Sequence, residues 1–188
     1  MELTLVYTII GFGLAGYSVI ANDSIQTLGT FIASKQKWFK WYVLASAASI
    51  IMIFAITWGW YSYDGDISYG RLTRIPYQEI QWYHAVAPAI LLVLTRIGIP
   101  VSTTFLVLSA FASTIVLEKM LVKSIVGYGI AATVAYFCWI AVSKFINEKF
   151  DEVKGAKWIA FWRNSVWVSS GWLWWVWLSH DVANIAVY

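Results

Sequence analysis

The sequence predicts an all-α fold, a polytopic bundle of transmembrane helices carrying a re-entrant helical hairpin. Three observations lead there. The 188 residues are 60% apolar and only 12% charged, the balance of an integral membrane protein. Apolar segments of about 20 residues recur along the chain, the length a helix needs to cross a bilayer core. Finally, a polar turn, Gly98-Ile99-Pro100-Val101-Ser102-Thr103-Thr104, separates two apolar flanks, 82–95 and 105–117, each too short to cross alone. Irregular backbone at membrane depth is tolerated only where it is buried in protein or lines a cavity. The tip of that hairpin is therefore where function is expected.

Composition narrows the class further. Thirteen Trp and eleven Tyr suit anchoring at membrane–water interfaces. The net charge of +3 includes no basic patch long enough for nucleic acid, so no nucleic-acid partner is expected. A single cysteine, Cys138, excludes an internal disulfide framework and a Cys-rich metal site, and reads as a buried apolar residue. Glu2 stands where a signal peptide would carry basic residues, so residues 3–20 read as a retained membrane segment.

That first segment contains Gly11-Phe12-Gly13-Leu14-Ala15-Gly16. The letters match a dinucleotide fingerprint, but no strand precedes them and no acidic residue follows about 20 positions on. Small residues that let helices approach closely explain them better. A polar run over 21–30 follows, without Lys or Arg, and Phe31-Ile32-Ala33 resumes the apolar pattern. Two readings are open here. Either 3–33 is one membrane-crossing element with Asn22 and Asp23 at an internal break, or Asp23 and Gln26 form a capping box at the surface.

Lys35, Lys37 and Lys40 lie in a short loop beside Trp38 and Trp41. The positive-inside rule makes this loop cytoplasmic and puts the N-terminus outside, the expected location being the plasma (inner) membrane. Residues 42–62 then cross back. The loop 63–81 sets Asp64, Asp66 and Glu79 against Arg71 and Arg74, which suits the outer side. The hairpin 82–117 enters from outside and returns there, with Glu118, Lys119 and Lys123 at its exit. Residues 124–146 cross inward, and 147–157 read as a charged cytoplasmic linker. The Trp-rich segment from 158, with Arg163 snorkelling near its start, leads to Asp181 and Asn184. An Asp and an Asn follow this last apolar segment as Asn22 and Asp23 follow the first. An odd number of crossings separates them, which gives the two copies opposite orientations, as in inverted repeats. The chain thus reads as a single transmembrane domain, 1–188, with 1–146 a first repeat and 158–188 the start of a second.

These strings resemble the signatures of the inorganic phosphate transporter (PiT) family of sodium- or proton-coupled carriers. That family has a Gly-Ala-Asn-Asp-Val-Ala-Asn-like string at the start of each of two inverted repeats. It also has a Pro-Val-Ser-Thr-Thr-His-like string on a re-entrant hairpin in each. Here Pro100-Val101-Ser102-Thr103-Thr104-Phe105 matches the hairpin string, with Phe for His. Ala21-Asn22-Asp23 keeps the first half of the repeat signature and Asp181-Val182-Ala183-Asn184 the second half. The acidic residue that many members carry in the helix after the first signature has no counterpart between Asp23 and Asp64. A second hairpin string is lacking. The resemblance implies an inverted-repeat carrier fold, either part of a longer carrier or a half-size relative that pairs with a second copy or a complementary chain.

The chemistry gives each residue a role. Phosphate at membrane depth needs aimed donors in place of water, and Ser102, Thr103 and Thr104 supply hydroxyls, with Arg96 as a charge-assisted partner. Pro100 suits the first turn of a helix running to about residue 117, whose free N–H groups would hold an anion. The plainer alternatives are hydroxyls bonded back to helices and an Arg96 that only reaches the interface. Asn22, Asp23, Asp181 and Asn184 offer oxygens to a coupling ion. If that ion is sodium, Asp23 and Asp181 are its metal ligands; a proton could neutralise them instead. An ion between these groups and the anion would relieve both, which gives coupling a cause. No other cofactor is expected. With no His-Glu-x-x-His, Gly-x-Ser-x-Gly or nucleophile–base pair, the chain does not read as an enzyme. The expected function is ion-coupled transport of inorganic phosphate or a similar oxyanion across the lipid bilayer. The alternative is a non-transporting membrane subunit or sensor that keeps a degenerate carrier fold.

Overall fold

The computed structural model describes residues 2–99, 101–146 and 156–188. Pro100 and most of the expected linker 147–157 lie outside the described residues. Every regular element among the described residues is helical: α1 (Glu2–Asp23), α2 (Gly29–Lys35), α3 (Trp41–Ser62), α4 (Trp82–Ile97), α5 (Thr103–Leu108), α6 (Thr114–Ala141), α7 (Ala156–Asp181) and α8 (Ala183–Ala186). Among them, three stretches are long and apolar enough to cross a membrane: Leu3–Lys35, Trp41–Ser62 and Thr114–Lys144. The Trp-rich α7, which holds the last apolar segment, is not one of the three. Its hydropathy is lowered by Arg163, Asn164 and the tryptophans themselves.

The chain divides into two units, Met1–Ser113 with Ser169–Tyr188, and Thr114–Val168. In the second, α6 shows no preferred apolar face, buries none of its residues, and is long and apolar enough to cross a membrane. Cys138 is consequently exposed, not buried as the sequence suggested.

In the first unit, the break after Asp23 is internal to a long helical element. A π-helical turn, Ser24–Leu28, joins α1 to α2, and Asp23 makes no side-chain cap. The surface-capping reading is therefore replaced by a broken, continuous element. π-Turns are rare and cluster at functional sites.

The hairpin is built from α4 and α5. Gln81 and His84 cap the start of α4 reciprocally, and Gln81 N donates to His84 Nδ1 at 2.8 Å. Gly98 ends α4 with φ +81°, a left-handed conformation that a side chain would strain. Ser102 then starts α5 by accepting from Phe105 N at 3.3 Å. The descending helix, expected to reach 117, stops at Leu108, and a turn over 109–113 leads to α6. At the base, Phe111 stacks on His84 with centroids 4.2 Å apart, and Gln78 Nε2 donates to Phe111 O at 2.9 Å.

Pro88 sits inside α4 and cannot donate to the His84 carbonyl one turn back. The Tyr188 hydroxyl takes that carbonyl instead, at 2.6 Å. The Tyr188 ring also meets Phe111 edge-on and lies over Gly11, where a Cβ would come within 2.4 Å of it. Gly11 and the fully buried Ala15 are thus the small residues that matter for packing, whereas Gly13 and Gly16 face nothing within 4 Å. These contacts, with Val19 and Leu91 in one core cluster, show α1 and α4 running side by side in the same direction. Residues 181–188 return along their seam from hairpin tip to base.

A second core joins Leu28, Ala55, Trp174 and Leu178. Trp174 is 1% exposed and donates its indole N–H to Ala48 O at 3.1 Å. This tryptophan is core, not an interfacial anchor.

The loop after α3 is shaped by Asp66, whose carboxylate accepts from Ser68 N (2.7 Å) and Gly70 N (3.0 Å). Desolvation opposes the charged form, but these bonds outweigh it and hold the Asp66 carboxyl below the usual range. Tyr69 packs on Gly59, where a Cβ would lie 2.8 Å from its ring, and its hydroxyl donates to Ala55 O.

Candidate functional site

The hairpin tip meets the break in the first helical element. The Asn22 side chain donates to Val101 O (3.2 Å) and accepts from Gln26 Nε2 (3.2 Å) and Thr95 Oγ1 (3.3 Å). Gln26 also donates to Val101 O at 2.9 Å. Tip backbone that would otherwise lack partners in an apolar setting is satisfied by two amides from α1 and its π-turn.

Asp181, the last residue of α7, closes the tip from the other side. Thr103 Oγ1 donates to Asp181 Oδ2 and Thr104 Oγ1 to Asp181 Oδ1, both at 2.8 Å. One carboxylate thus holds two adjacent hydroxyls, each through its own oxygen. Such hydrogen bonds to an ionised acceptor are the strong kind. Asn184 Nδ2 approaches the same hydroxyls at 3.4 and 3.3 Å. The Asp23 carboxylate is close enough to Asp181 for the two to interact directly. Five of these groups are deeply buried, Asp23 and Asn184 at 0% exposed, Asn22 and Thr103 at 3% and Asp181 at 6%, whereas Thr104 is half-buried.

Oxygens in this neighbourhood remain without partners. Asp23 Oδ2 and Asn184 Oδ1 are buried and accept no hydrogen bond, and neither Ser18 Oγ nor Thr27 Oγ1 finds one. An unpaired buried polar atom costs about 1–3 kcal/mol, so several in one region mark a place built to receive a donor or a cation. Two carboxyl groups side by side have a related need, because both can carry charge there only with a positive partner. Among the described residues no cluster of three His, Cys, Asp or Glu side chains exists to hold a metal. The unpaired set is carboxylate, amide and hydroxyl oxygen, the donors that hard cations prefer.

Of the residues singled out in the sequence, Asn22, Asp23, Thr103, Thr104, Asp181 and Asn184 come together. Ser102 is adjacent but acts as the cap of α5. Arg96 is not brought in: it is exposed at the end of α4 and makes none of the site's hydrogen bonds. The free helix terminus expected to hold an anion is reduced as well, since α5 spans six residues and Ser102 already takes one of its first N–H groups. Three participants were missed: Thr95, Gln26 and the carbonyl of Val101. Gln26 lies one turn from Asn22, and Thr95 is a polar residue in an apolar helix, so both carried a readable signal.

No protein-family model, curated protein or solved structure matches the chain.

Proposed function

We propose that this chain belongs to a secondary carrier that moves inorganic phosphate or a similar oxyanion together with sodium or protons. In this reading it lies in the plasma (inner) membrane with its N-terminus outside, α4 and α5 forming a re-entrant hairpin in an inverted-repeat fold. The observation that carries the proposal is the clasp between Asp181 and the two hydroxyls of Thr103 and Thr104 beside Asp23. Two parallel O–H donors holding a carboxylate are equally suited to two oxygens of a tetrahedral oxyanion. A cation or proton arriving at Asp23, Asn184 and Asp181 neutralises the carboxylate pair and weakens its hold on the hydroxyls. Thr103 and Thr104 then turn to the incoming anion. Ion and anion each remove what opposes the other, which is the physical content of coupling.

The test is uptake of labelled phosphate into proteoliposomes with and without a sodium or proton gradient. Gradient-dependent uptake that falls on Asp181→Asn and on Thr103→Val is the expected result. Absence of uptake in either gradient by the complete protein sinks the proposal.

A second reading has one observation in its favour. Asp181 satisfies both hydroxyls internally, which suits a non-transporting subunit or sensor whose cradle is permanently closed. It predicts co-purification with a partner chain and no phenotype for Asp23→Asn.

A further inference from the structure

The two apolar spans Leu3–Lys35 and Trp41–Ser62 are joined by one tight corner. Its path is set by the backbone. Trp38 N and Phe39 N both donate to Lys35 O, at 2.9 and 3.0 Å, and Val43 N donates to Lys40 O at 3.0 Å. A corner closed in this way presents its side chains in a defined order.

Lys35, Lys37 and Lys40 lie on this corner, and no acidic residue stands between Asp23 and Asp64 to offset them. Lys37 and Lys40 are exposed and Lys35 is half-buried. Among the described residues none of the three pairs with a carboxylate. Lys40 Nζ lies 5.8 Å from the centre of the Tyr42 ring, a cation–π contact that leaves its charge uncompensated. The other end of α3 differs, for there Asp64 and Asp66 share a loop with Arg71 and Arg74. Beside the lysines stand Trp38, 82% exposed, and Trp41, 79% exposed, more open than any other described tryptophan side chain.

A tryptophan ring is amphipathic and suits the level of lipid head groups. Lysines at that level, where two spans end, offer positive charge to the bilayer surface, and the complementary chemistry there is an anionic head group. A soluble acidic partner would satisfy the lysines but leave both rings in water. We propose that this corner is a binding site for anionic phospholipid head groups, held by Lys35, Lys37 and Lys40 with Trp38 and Trp41 in the interface. Its place in the fold gives the binding a reach. Lys35 ends α2, and α2 follows directly on the π-turn whose Gln26 donates to Val101 O. A lipid on the corner therefore steadies the far end of the segment that ties down the hairpin tip. The binding requires that the chain crosses a membrane, not that it carries an anion.

The experiment titrates the full chain in detergent with dioleoyl phosphatidylglycerol and, separately, with dioleoyl phosphatidylcholine, and counts bound lipid by native mass spectrometry. The expected result is about tenfold or more tighter binding of phosphatidylglycerol, a preference that shrinks as ionic strength rises because exposed charges are screened. Lys35→Gln, Lys37→Gln and Lys40→Gln each weaken phosphatidylglycerol binding about fivefold, and the three together remove the preference. Arg at all three positions keeps the charge and the preference, which separates loss of the site from loss of the fold. Lys119→Gln with Lys123→Gln, at the start of α6, leaves the preference intact. Equal binding of the two lipids, a preference that survives Gln at all three corner positions, or one that follows Lys119 and Lys123 overturns the proposal.

Discussion

The two ends of the hairpin solve opposite problems. At the base, Phe111, His84 and Tyr188 pack ring on ring, and a proline-freed carbonyl receives the Tyr188 hydroxyl. Contacts there are apolar or internally paired apart from His84 Nε2, which is buried without a hydrogen-bond partner, so the base leans little on anything outside. At the tip, hydroxyls, amides and two carboxylates crowd together, and Asp23 Oδ2 and Asn184 Oδ1 stay unpaired. The comparison teaches that the hairpin is fastened where it is dry and left electrically incomplete where it is polar. A segment held in this way can change its tip arrangement without losing its place in the fold.

Substitutions at the base should act on stability first. Phe111→Ala removes a ring that is 2% exposed and should cost about 3–5 kcal/mol, read as a fall in the thermal midpoint of the detergent-solubilised protein. If that midpoint does not move, the base is not the fastening. Gly11→Ala pushes a methyl into the Tyr188 ring and should cost about 1–3 kcal/mol by the same measurement.

At the tip, Thr103→Val and Thr104→Val each remove one hydrogen bond to a carboxylate, worth about 1.5–3 kcal/mol. Thr103 is buried and Thr104 half-buried, so the first should cost more. Comparable losses, or a larger one at Thr104, would mean that burial does not set the strength of the clasp. Gln78→Ala loses one neutral bond at the base and should cost about 1 kcal/mol.

The smallest effect concerns pH. The Asp66 carboxyl is held below its ordinary value of 3.8. Its contribution to the loop is therefore complete above that value and lost as pH falls through the lower folded-state value. Hydrogen exchange of the Ser68 and Gly70 amides should accelerate, relative to the intrinsic rate, in that acid window, and Asp66→Asn should flatten the pH response.

Much of this arrangement was legible in the sequence because polar residues are conspicuous in an apolar chain. Asn22-Asp23, the Gly98 turn, the three hydroxyls and Asp181 all stood out as interruptions, and six of the eight singled-out residues meet. Apart from Gln26 and Thr95, what escaped notice had little or no local mark. The end of α5 at Leu108 is easily overlooked because 105–117 holds no glycine or proline, and only the small polar residues Ser109, Ser113 and Thr114 interrupt its apolar run. Arg96 looked like an anion ligand by type, but its position on α4 turns it outward. The partnership of Thr103 and Thr104 with a residue 78 and 77 positions away depends on how separate helices pack, which periodicity does not encode. Trp174 looks like its exposed neighbour Trp172 until Ala48 is brought against it.

Under the proposed carrier function, the Asp181 clasp has a consequence for selectivity. A carboxylate anchored in the chain is a tethered competitor, present at high effective concentration and never diluted. Any anion that engages Thr103 and Thr104 must outbid it, which favours doubly charged or strongly accepting species and rejects weak monoanions. Loosening the tether, as Asp181→Asn does, should therefore widen the range of anions admitted while weakening the dependence on the accompanying ion.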